Sequence, residues 1–262
     1  MTRRRFIADH WTSDTATLTG DQAGHLARVL RAEPGQIFDV VAGGFLRRAE
    51  ITSVSEDEVR FNLHEELESD AALPLHLLLA VFKFDHMEWA IEKATELGVS
   101  RITPILARRT EKHLTLASAK RVERWRRIAL EASKQSRRTS IPEISIPQSL
   151  KTALEQEQSP ARILLSETEQ ATPLSVALEN SRTATNDRVP HPSQSHRDGG
   201  DVDSSPTPIT YALAIGPEGG WTPEEMALFT SHHWTPVTLG PRILRAETAA
   251  IAAIAVVSSH LL

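Results

Sequence analysis

The chain carries two glycine–proline loops near its C-terminal end, IGPEGGWTPEE at residues 215–225 and LGPRILRAETA at residues 239–249. Each loop follows a short apolar run, and these runs predict strands over Tyr211–Ile215 and Val237–Leu239. Glycine permits backbone conformations that other residues avoid and lets a ligand approach the main chain closely. Because open α/β sheets bind ligands at the carboxyl ends of their strands, the two loops predict a ligand shelf of backbone N–H and C=O groups.

The first loop leads into a helix whose start is well marked. Thr222 suits the N-cap, Pro223 suits the first helical position, and Glu225 completes a capping box. The loop lacks the Lys-Ser/Thr pair of a P-loop, and Glu218 would repel a phosphate, so a neutral or cationic ligand is favoured. Taken alone, the same residues are also typical of a tight strand-to-helix turn that binds nothing.

Length and composition exclude several classes of protein. The 262 residues suffice for one large domain or two smaller ones. The absence of cysteine excludes disulfides, thiolate metal sites and cysteine nucleophiles, and no cluster of His, Asp and Glu has convincing metal-ligand spacing. No apolar run approaches the roughly 20 residues of a membrane span. The basic N-terminus has no apolar segment typical of a signal peptide, so we expect a cytoplasmic protein.

The charge of the chain is unevenly distributed. The net charge of −5 argues by itself against binding nucleic acid. Residues 101–138, however, contain twelve Lys or Arg against three Glu, a local balance of +9. This asymmetry predicts a basic face on an otherwise acidic body, although an ordinary solvated helix face is the alternative.

The N-terminal part reads as a small β-rich unit. Apolar runs and alternation predict strands over residues 36–41, 45–54 and 59–63, with an Ala42-Gly43-Gly44 turn between the first two. A helical pattern between Asp21 and Arg31 places three apolar residues on one face, Leu26, Val29 and Leu30.

The remainder reads as alternating strands and helices. Leu75–Phe82 is continuously apolar, which predicts a strand buried on both faces, and further strands are expected over Ile102–Leu106 and Ile163–Leu165. Helices are expected up to Leu97, with Gly98 as C-cap, and over residues 118–136. Residues 180–208 are rich in Ser, Thr, Pro, Asp and Gly, which predicts a disordered insertion. The final helix, from Ala246, is apolar on every side and should be buried in the core or across a two-fold interface.

The paired loops, IGPEGG and LGPRILRAETA, resemble the SPOUT superfamily of methyltransferases, and within it the family that methylates N3 of a uridine in 16S ribosomal RNA. Residues 92–99, 124–129 and 131–137 are similar to the same family. The resemblance implies an α/β fold class, with a C-terminal SPOUT α/β trefoil-knot domain over residues 73–262 preceded by a PUA-like RNA-binding β-barrel over residues 1–70. It also implies S-adenosyl-L-methionine as cofactor, 16S rRNA of the small ribosomal subunit as substrate (at uridine 1498), and a homodimer.

The resemblance also implies roles for individual residues. The expected cofactor-binding residues are Leu165, Ile215, Gly216, Pro217, Glu218, Gly219, Gly220, Leu239, Gly240, Ile243 and Leu244. The expected RNA-binding residues are Arg3, Arg4, Arg28, Arg31, Lys83, Arg109, Lys134, Gln135 and Arg137. The expected catalytic residues are Arg245, which would stabilise negative charge on the uracil oxygens, and Glu247, which, like Glu218, would orient the base or accept a proton. The alternative is that Arg245 and Glu247 form an ion pair that only shapes the helix start.

The chain departs from the family where Lys83-Phe84-Asp85-His86 stands in place of the usual Lys-Gly-Asp-Arg. A loop that needs a positive φ at Phe84 would be strained, and His86 weakens the RNA role of that position. Trp125 is expected to pack in the core rather than stack on a base. Two other functions stay open, a ribose 2′-O methyltransferase with the same cofactor shelf and a non-catalytic RNA-binding or assembly factor, although two intact loops argue against the second.

Overall fold

The computed structural model describes residues 5–69, 71–186 and 211–261. Arg3 and Arg4 lie outside the described residues, as does most of the predicted insertion. The chain divides into two compact units, Met1–Ala72 with Leu130–Ile141, and Leu73–Ala129 with Pro142–Leu262. The sequence did not predict that residues 130–141, which include the end of a long helix, group with the first unit.

The first unit is built mainly from β-strands. Its elements in chain order are β1 Arg5–Ile7, β2 His10–Trp11, β3 Thr15–Thr19, α1 Gly20–Gly24, a π-helical turn His25–Val29, β4 Ile37–Ala42, β5 Phe45–Val54 and β6 Glu58–Glu66. The described strands form one sheet in the order β1-β4-β5-β6-β3-β2. Gly43 and Gly44 take positive φ in the turn between β4 and β5, as a two-residue hairpin requires.

The predicted alternation of β6 is confirmed, because Val59, Phe61 and Leu63 are buried and form part of one core. The helical prediction for residues 21–31 is correct in part. Leu26 is buried, but Val29 is 66% exposed. The N–H of Leu30 bonds to the carbonyl of His25, five residues back. This wider turn shifts the 3.6-residue period, so Val29 leaves the apolar face.

The second unit alternates strands and helices. Its elements are β7 Leu73–Ala80, α2 Phe84–Glu96, β8 Val99–Leu106, α3 Lys112–Ser118, a 3₁₀ turn Ala119–Arg121, α4 Val122–Gln135, β9 Glu143–Ile144, β10 Gln148–Ser149, α5 Leu150–Gln156, β11 Ala161–Leu165, α6 Leu174–Asn186, β12 Tyr211–Ile215, α7 Pro223–Ser231, β13 Thr235–Val237 and α8 Ala246–Leu261. In the described residues, the main sheet has the order β10-β8-β7-β12-β11-β13, and its ladders are parallel.

Helices cover both faces of this sheet, which explains why β7 is continuously apolar. Leu77 and Leu79 face one core, to which α2, α4, α6 and α8 contribute. Leu78 faces a second core with α5 and α7. Trp125 is fully buried, and its ring centroid lies 6.2 Å from that of Phe84, so the predicted packing role is confirmed.

Two predicted boundaries are wrong. The last strand ends at Val237 rather than Leu239, because the hydroxyl of Thr238 bonds to the N–H and the carbonyl of Gly240 and turns the chain. The predicted insertion begins too early, because α6 continues to Asn186. Neither Gly nor Pro occurs between Leu174 and Asn186, so nothing in the local sequence stops a helix that is already anchored.

Helix α8 is buried on one face only within this chain. Ala250, Ala253, Ile254 and Val257 pack in the core, whereas Ala255 is exposed. The helix therefore closes the core, and its exposed residues, Thr248, Ala255 and Ser259, lie on the opposite face, which is small and partly polar.

Candidate functional site

Three neighbouring strands of the second unit end at one cavity of about 860 Å³. Leu165, Ile215 and Val237 are the last residues of β11, β12 and β13, and all three line the cavity. Both glycine–proline loops contribute to its wall. Every residue predicted to bind the cofactor lies on that wall except Gly219.

The first loop is held by local hydrogen bonds. The N–H of Gly220 bonds to the carbonyl of Pro217 at 2.8 Å, and Gly220 takes a φ of +68°, which favours glycine. The capping box of Thr222 and Glu225 is present as predicted. Glu225 also accepts a hydrogen bond from the N–H of Arg108 at 2.8 Å, so the helix start is tied to the segment after β8.

Gly219 contacts Arg109 instead of the cavity. A Cβ built on Gly219 would lie 3.2 Å from the Cβ of Arg109, and the Arg109 guanidinium donates to the Gly219 carbonyl at 2.5 Å. Arg109 itself lines the cavity. The sequence predicted Arg109 as an RNA contact, whereas the structure places it against the predicted cofactor loop.

A third loop, residues 166–170, completes the wall and was missed by the sequence reading. It follows β11 directly, and the Ser166 and Thr168 hydroxyls bond to each other at 2.9 Å. Glu169 accepts hydrogen bonds from the N–H groups of Ala171 and Thr172, which holds the loop in a turn. The available signal was a polar run after a buried strand, at the sheet edge that the other two loops already marked.

The cavity wall carries charges of both signs in equal number. Its charged residues are Glu167, Glu169, Glu218, Arg109, Arg242 and Arg245. The Trp221 indole lies against Gly216, 3.1 Å from the position that a Cβ there would take, and donates to the Leu165 carbonyl at 3.3 Å, which fixes one side of the wall. Such a wall suits a zwitterionic ligand that is also held through backbone groups.

The two predicted catalytic residues lie in different surroundings. Arg245 is exposed and lines the cavity, whereas Glu247 is 3% exposed and does not. Oε1 of Glu247 lies 3.6 Å from Nδ1 of His86. The ion pairs of the described residues include no pair between Glu247 and Arg245 within 4 Å. The alternative interpretation, an Arg245–Glu247 pair that only shapes the helix start, is therefore not what the structure shows.

The remaining predicted RNA-binding residues fall into two groups. Arg28, Arg31, Lys134, Gln135 and Arg137 belong to the first unit. Lys83 lies in the second unit, where its N–H points to a Glu218 carboxylate oxygen at 3.4 Å.

Part of the basic stretch at residues 101–138 is already paired. Lys134 pairs with Glu131 at 3.0 Å, and Arg124 pairs with Glu88 at 2.6 Å. These pairs reduce the charge that the stretch offers to phosphate.

The described residues contain no group of three or more His, Asp or Glu side chains that could hold a metal ion. In the same residues, no helix has both the length and the apolar character that crossing a membrane requires.

Comparison with known proteins identifies the family. A family model described as "RNA methyltransferase domain" matches residues 69–258, and one described as "RNA methyltransferase PUA domain" matches residues 18–63. A Synechocystis protein named ribosomal RNA small subunit methyltransferase E is 33% identical over 94% of this chain and 74% of its own length. The chain belongs to the ribosomal RNA small subunit methyltransferase E family. The Bacillus subtilis member is 30% identical over 93% of this chain and 90% of its own length.

Solved structures of similar proteins support this assignment. A member of the family from Neisseria gonorrhoeae, bound to S-adenosyl methionine, matches with a TM-score of 0.74 and 26% identity over 98% of each chain. A methyltransferase from Legionella pneumophila, in complex with the cofactor SAM, matches with a TM-score of 0.72 and 28% identity over 99% of this chain and 98% of its own. The predicted fold class is confirmed as a PUA-like unit followed by an α/β domain of the SPOUT type, and the threading of the knot stays a prediction.

Proposed function

We propose that this chain transfers a methyl group from S-adenosyl-L-methionine to N3 of a uridine in the 16S rRNA of the small ribosomal subunit. The observation that carries the proposal is the cavity at the ends of β11, β12 and β13, with its open main chain and its equal number of carboxylates and guanidiniums. Family membership supports the class of reaction, and the choice of N3 and of one uridine position rests on the sequence resemblance.

The residues of the cavity fit the proposed cofactor. A volume of about 860 Å³ lies in the range of small-molecule sites. Gly220 carries no side chain into it, so a purine or ribose edge can approach the backbone of the first glycine–proline loop there. The carboxylates suit an ammonium or sulfonium centre, and the guanidiniums of Arg109 and Arg242 suit a carboxylate. The cofactor would supply an electrophilic methyl group.

The chain itself must bind, orient and deprotonate the uridine. N3 of uracil carries a weakly acidic proton, so a nearby group or water has to accept it, or the uracil anion has to be stabilised. Glu218 and Arg245 both lie on the cavity wall, one able to accept a proton and the other able to stabilise charge on the uracil oxygens. Positioning of the two reactants supplies much of the rate in such transfers.

The proposal includes a homodimer in the cytoplasm. It is supported by Ile243, an apolar side chain that is 82% exposed in the second glycine–proline loop. Light scattering at micromolar concentration measures the assembly, and a monomer under these conditions would contradict this part of the proposal.

The decisive experiment incubates the protein and S-adenosyl-L-methionine with small ribosomal subunits from cells that lack the gene. Nucleoside mass spectrometry then identifies the product. N3-methyluridine at one 16S position supports the proposal, whereas a 2′-O-methyl nucleoside indicates the ribose methyltransferase. Cofactor binding without any methylated product indicates the non-catalytic factor.

A further inference from the structure

One bare backbone position of the cavity wall lies between two opposite charges. A Cβ built on Gly220 would lie 3.6 Å from Oε2 of Glu167 and 3.8 Å from Nη1 of Arg109. Both side chains line the cavity, and no ion pair joins them within the described residues. Because Gly220 has no side chain, the space between the carboxylate and the guanidinium is open to a ligand.

Glu167 differs from the other two carboxylates of the cavity wall, because these already have backbone partners. Glu169 accepts hydrogen bonds from two N–H groups of its own turn, and Glu218 faces the N–H of Lys83 at 3.4 Å. Glu167 is exposed, and it makes no hydrogen bond or ion pair in the part of the chain that the structure describes. Its carboxylate is therefore available to a cationic group of a ligand.

The two charges are carried by anchored parts of the chain. The N–H of Ser166 bonds to the Val237 carbonyl at 3.1 Å, which ties the residue before Glu167 to β13. The Arg109 guanidinium donates to the Gly219 carbonyl at 2.5 Å, and it keeps further N–H groups because a guanidinium has five donors. A ligand that binds between the two groups therefore has less of the site to order, which favours its affinity.

An α-amino acid group matches this arrangement. Its ammonium and its carboxylate are bonded to the same carbon atom, so each can face a group of opposite charge when the two groups flank one point. Hydrogen bonds between such charged groups are shorter and stronger than those between neutral groups. A purine or a ribose has no such pair of charges.

We propose that Glu167 and Arg109 bind the amino-acid end of the cofactor beside Gly220, with Glu167 on its ammonium and Arg109 on its carboxylate. This inference rests on the proposed function, because it assigns one part of the proposed cofactor to one place in the cavity. Glu167 is then a residue that determines specificity, since a ligand without the amino-acid group makes no use of it.

The test measures by calorimetry the affinities of two neutral thioethers, S-adenosyl-L-homocysteine, which has the amino-acid group, and 5′-methylthioadenosine, which lacks it. We expect Glu167→Gln to weaken binding of S-adenosyl-L-homocysteine about tenfold, because one hydrogen bond between charged groups is lost, and binding of 5′-methylthioadenosine by less than about twofold. Arg109→Ala also removes the contact with Gly219, so it should weaken binding of both ligands, but that of S-adenosyl-L-homocysteine by about threefold more.

Glu224→Gln is the matched control. Glu224 is exposed and does not line the cavity. Hydrogen bonds at the start of α7 lower its pKa, and the charges of Arg108 and Arg109 lower it further. The substitution therefore removes a carboxylate that also acts on Arg109, but from outside the cavity, and both affinities should stay within about twofold.

Unchanged affinities, or equal losses for the two thioethers, in Glu167→Gln would overturn the inference. A greater loss for S-adenosyl-L-methionine than for S-adenosyl-L-homocysteine would also overturn it, because that result would place the sulfonium at Glu167. The assignment of Arg109 is wrong if Arg242→Ala, and not Arg109→Ala, weakens binding of S-adenosyl-L-homocysteine more than that of 5′-methylthioadenosine. The proposed function fails separately, if the ligands bind with the expected pattern but small ribosomal subunits are not methylated at uridine N3.

Discussion

Replacing Arg109 by alanine distinguishes the cofactor role that the structure indicates from the RNA role that the sequence predicted. The Arg109 guanidinium donates to the Gly219 carbonyl at 2.5 Å, and its Nη1 atom lies 3.8 Å from the position that a Cβ on Gly220 would take. The side chain thus contacts the first glycine–proline loop and also lines the cavity.

The expected loss follows from that one charged hydrogen bond. Hydrogen bonds to charged groups contribute about 1.5–3 kcal/mol, and the exposure of Arg109 places this one at the lower end. A loss of about 1–2 kcal/mol corresponds to about 5- to 30-fold weaker binding of S-adenosyl-L-methionine, which calorimetry resolves. The RNA affinity should fall little, and the slope of log K against log salt should stay the same.

Arg108→Ala is the matched control for this prediction. Arg108 is the neighbouring exposed arginine, it does not line the cavity, and its hydrogen bond to Glu225 comes from the backbone N–H, which the substitution keeps. It removes the same charge and should leave cofactor affinity within about twofold. If Arg109→Ala binds the cofactor normally but makes the salt slope shallower by about one unit, Arg109 is a phosphate contact and the structural reasoning is wrong.

Three further measurements test other parts of the molecule. Arg245→Ala should leave RNA and cofactor affinity near normal and lower the single-turnover methylation rate by about 100-fold, because it removes a group that stabilises charge in the transition state. An unchanged rate would mean that Arg245 has no catalytic role. Burial raises the pKa of Glu157, but its hydrogen bonds with His76, at 2.5 Å, and with Ser159 outweigh this and lower the pKa from 4.5 to about 2. The carboxylate therefore stabilises the folded state above about pH 4.5. This contribution is about 2 kcal/mol after allowance for solvent, and it should disappear as the pH falls from 4.5 to 2. The free energy of unfolding of Glu157→Gln, measured in urea, should therefore change less with pH in that window than the free energy of unfolding of the unchanged protein. Thr222→Ala should lower the free energy of unfolding by about 1 kcal/mol, and an unchanged melting temperature would mean that the capping box contributes nothing.

The parts of the site that could be predicted depend on local chemistry. Gly220 needs a positive φ, and Thr222 and Glu225 cap a helix, so each acts through neighbours within a few residues. The local sequence alone therefore predicts both the first glycine–proline loop and the start of the helix that follows it. The buried strands are predictable for a similar reason, because a sheet covered on both faces demands apolar residues at every position.

The parts that were missed depend on contacts between distant segments. Arg109 and Gly219 are 110 residues apart, and nothing in either local sequence indicates that they meet. The polar loop at residues 166–170 resembles any surface turn until its strand is placed next to β12. The prediction that Val29 lies on the apolar face was wrong for a local reason, because a π-helical turn interrupts the 3.6-residue period on which it relied.

Phe84, which stands where the family usually has glycine, is accommodated by contacts with residues that are distant in sequence. The sequence predicted strain if residue 84 had to take a positive φ, but Phe84 begins α2 and is not among the described non-glycine residues with positive φ. Its ring packs against Trp125 in the core, and the Arg121 guanidinium lies 4.6 Å from the ring centroid. Arg121 also approaches Glu88 to 3.6 Å. The aromatic ring therefore joins α2 to the segment that leads into α4 through packing and a cation–π contact, so the substitution adds contacts at the helix start instead of straining it.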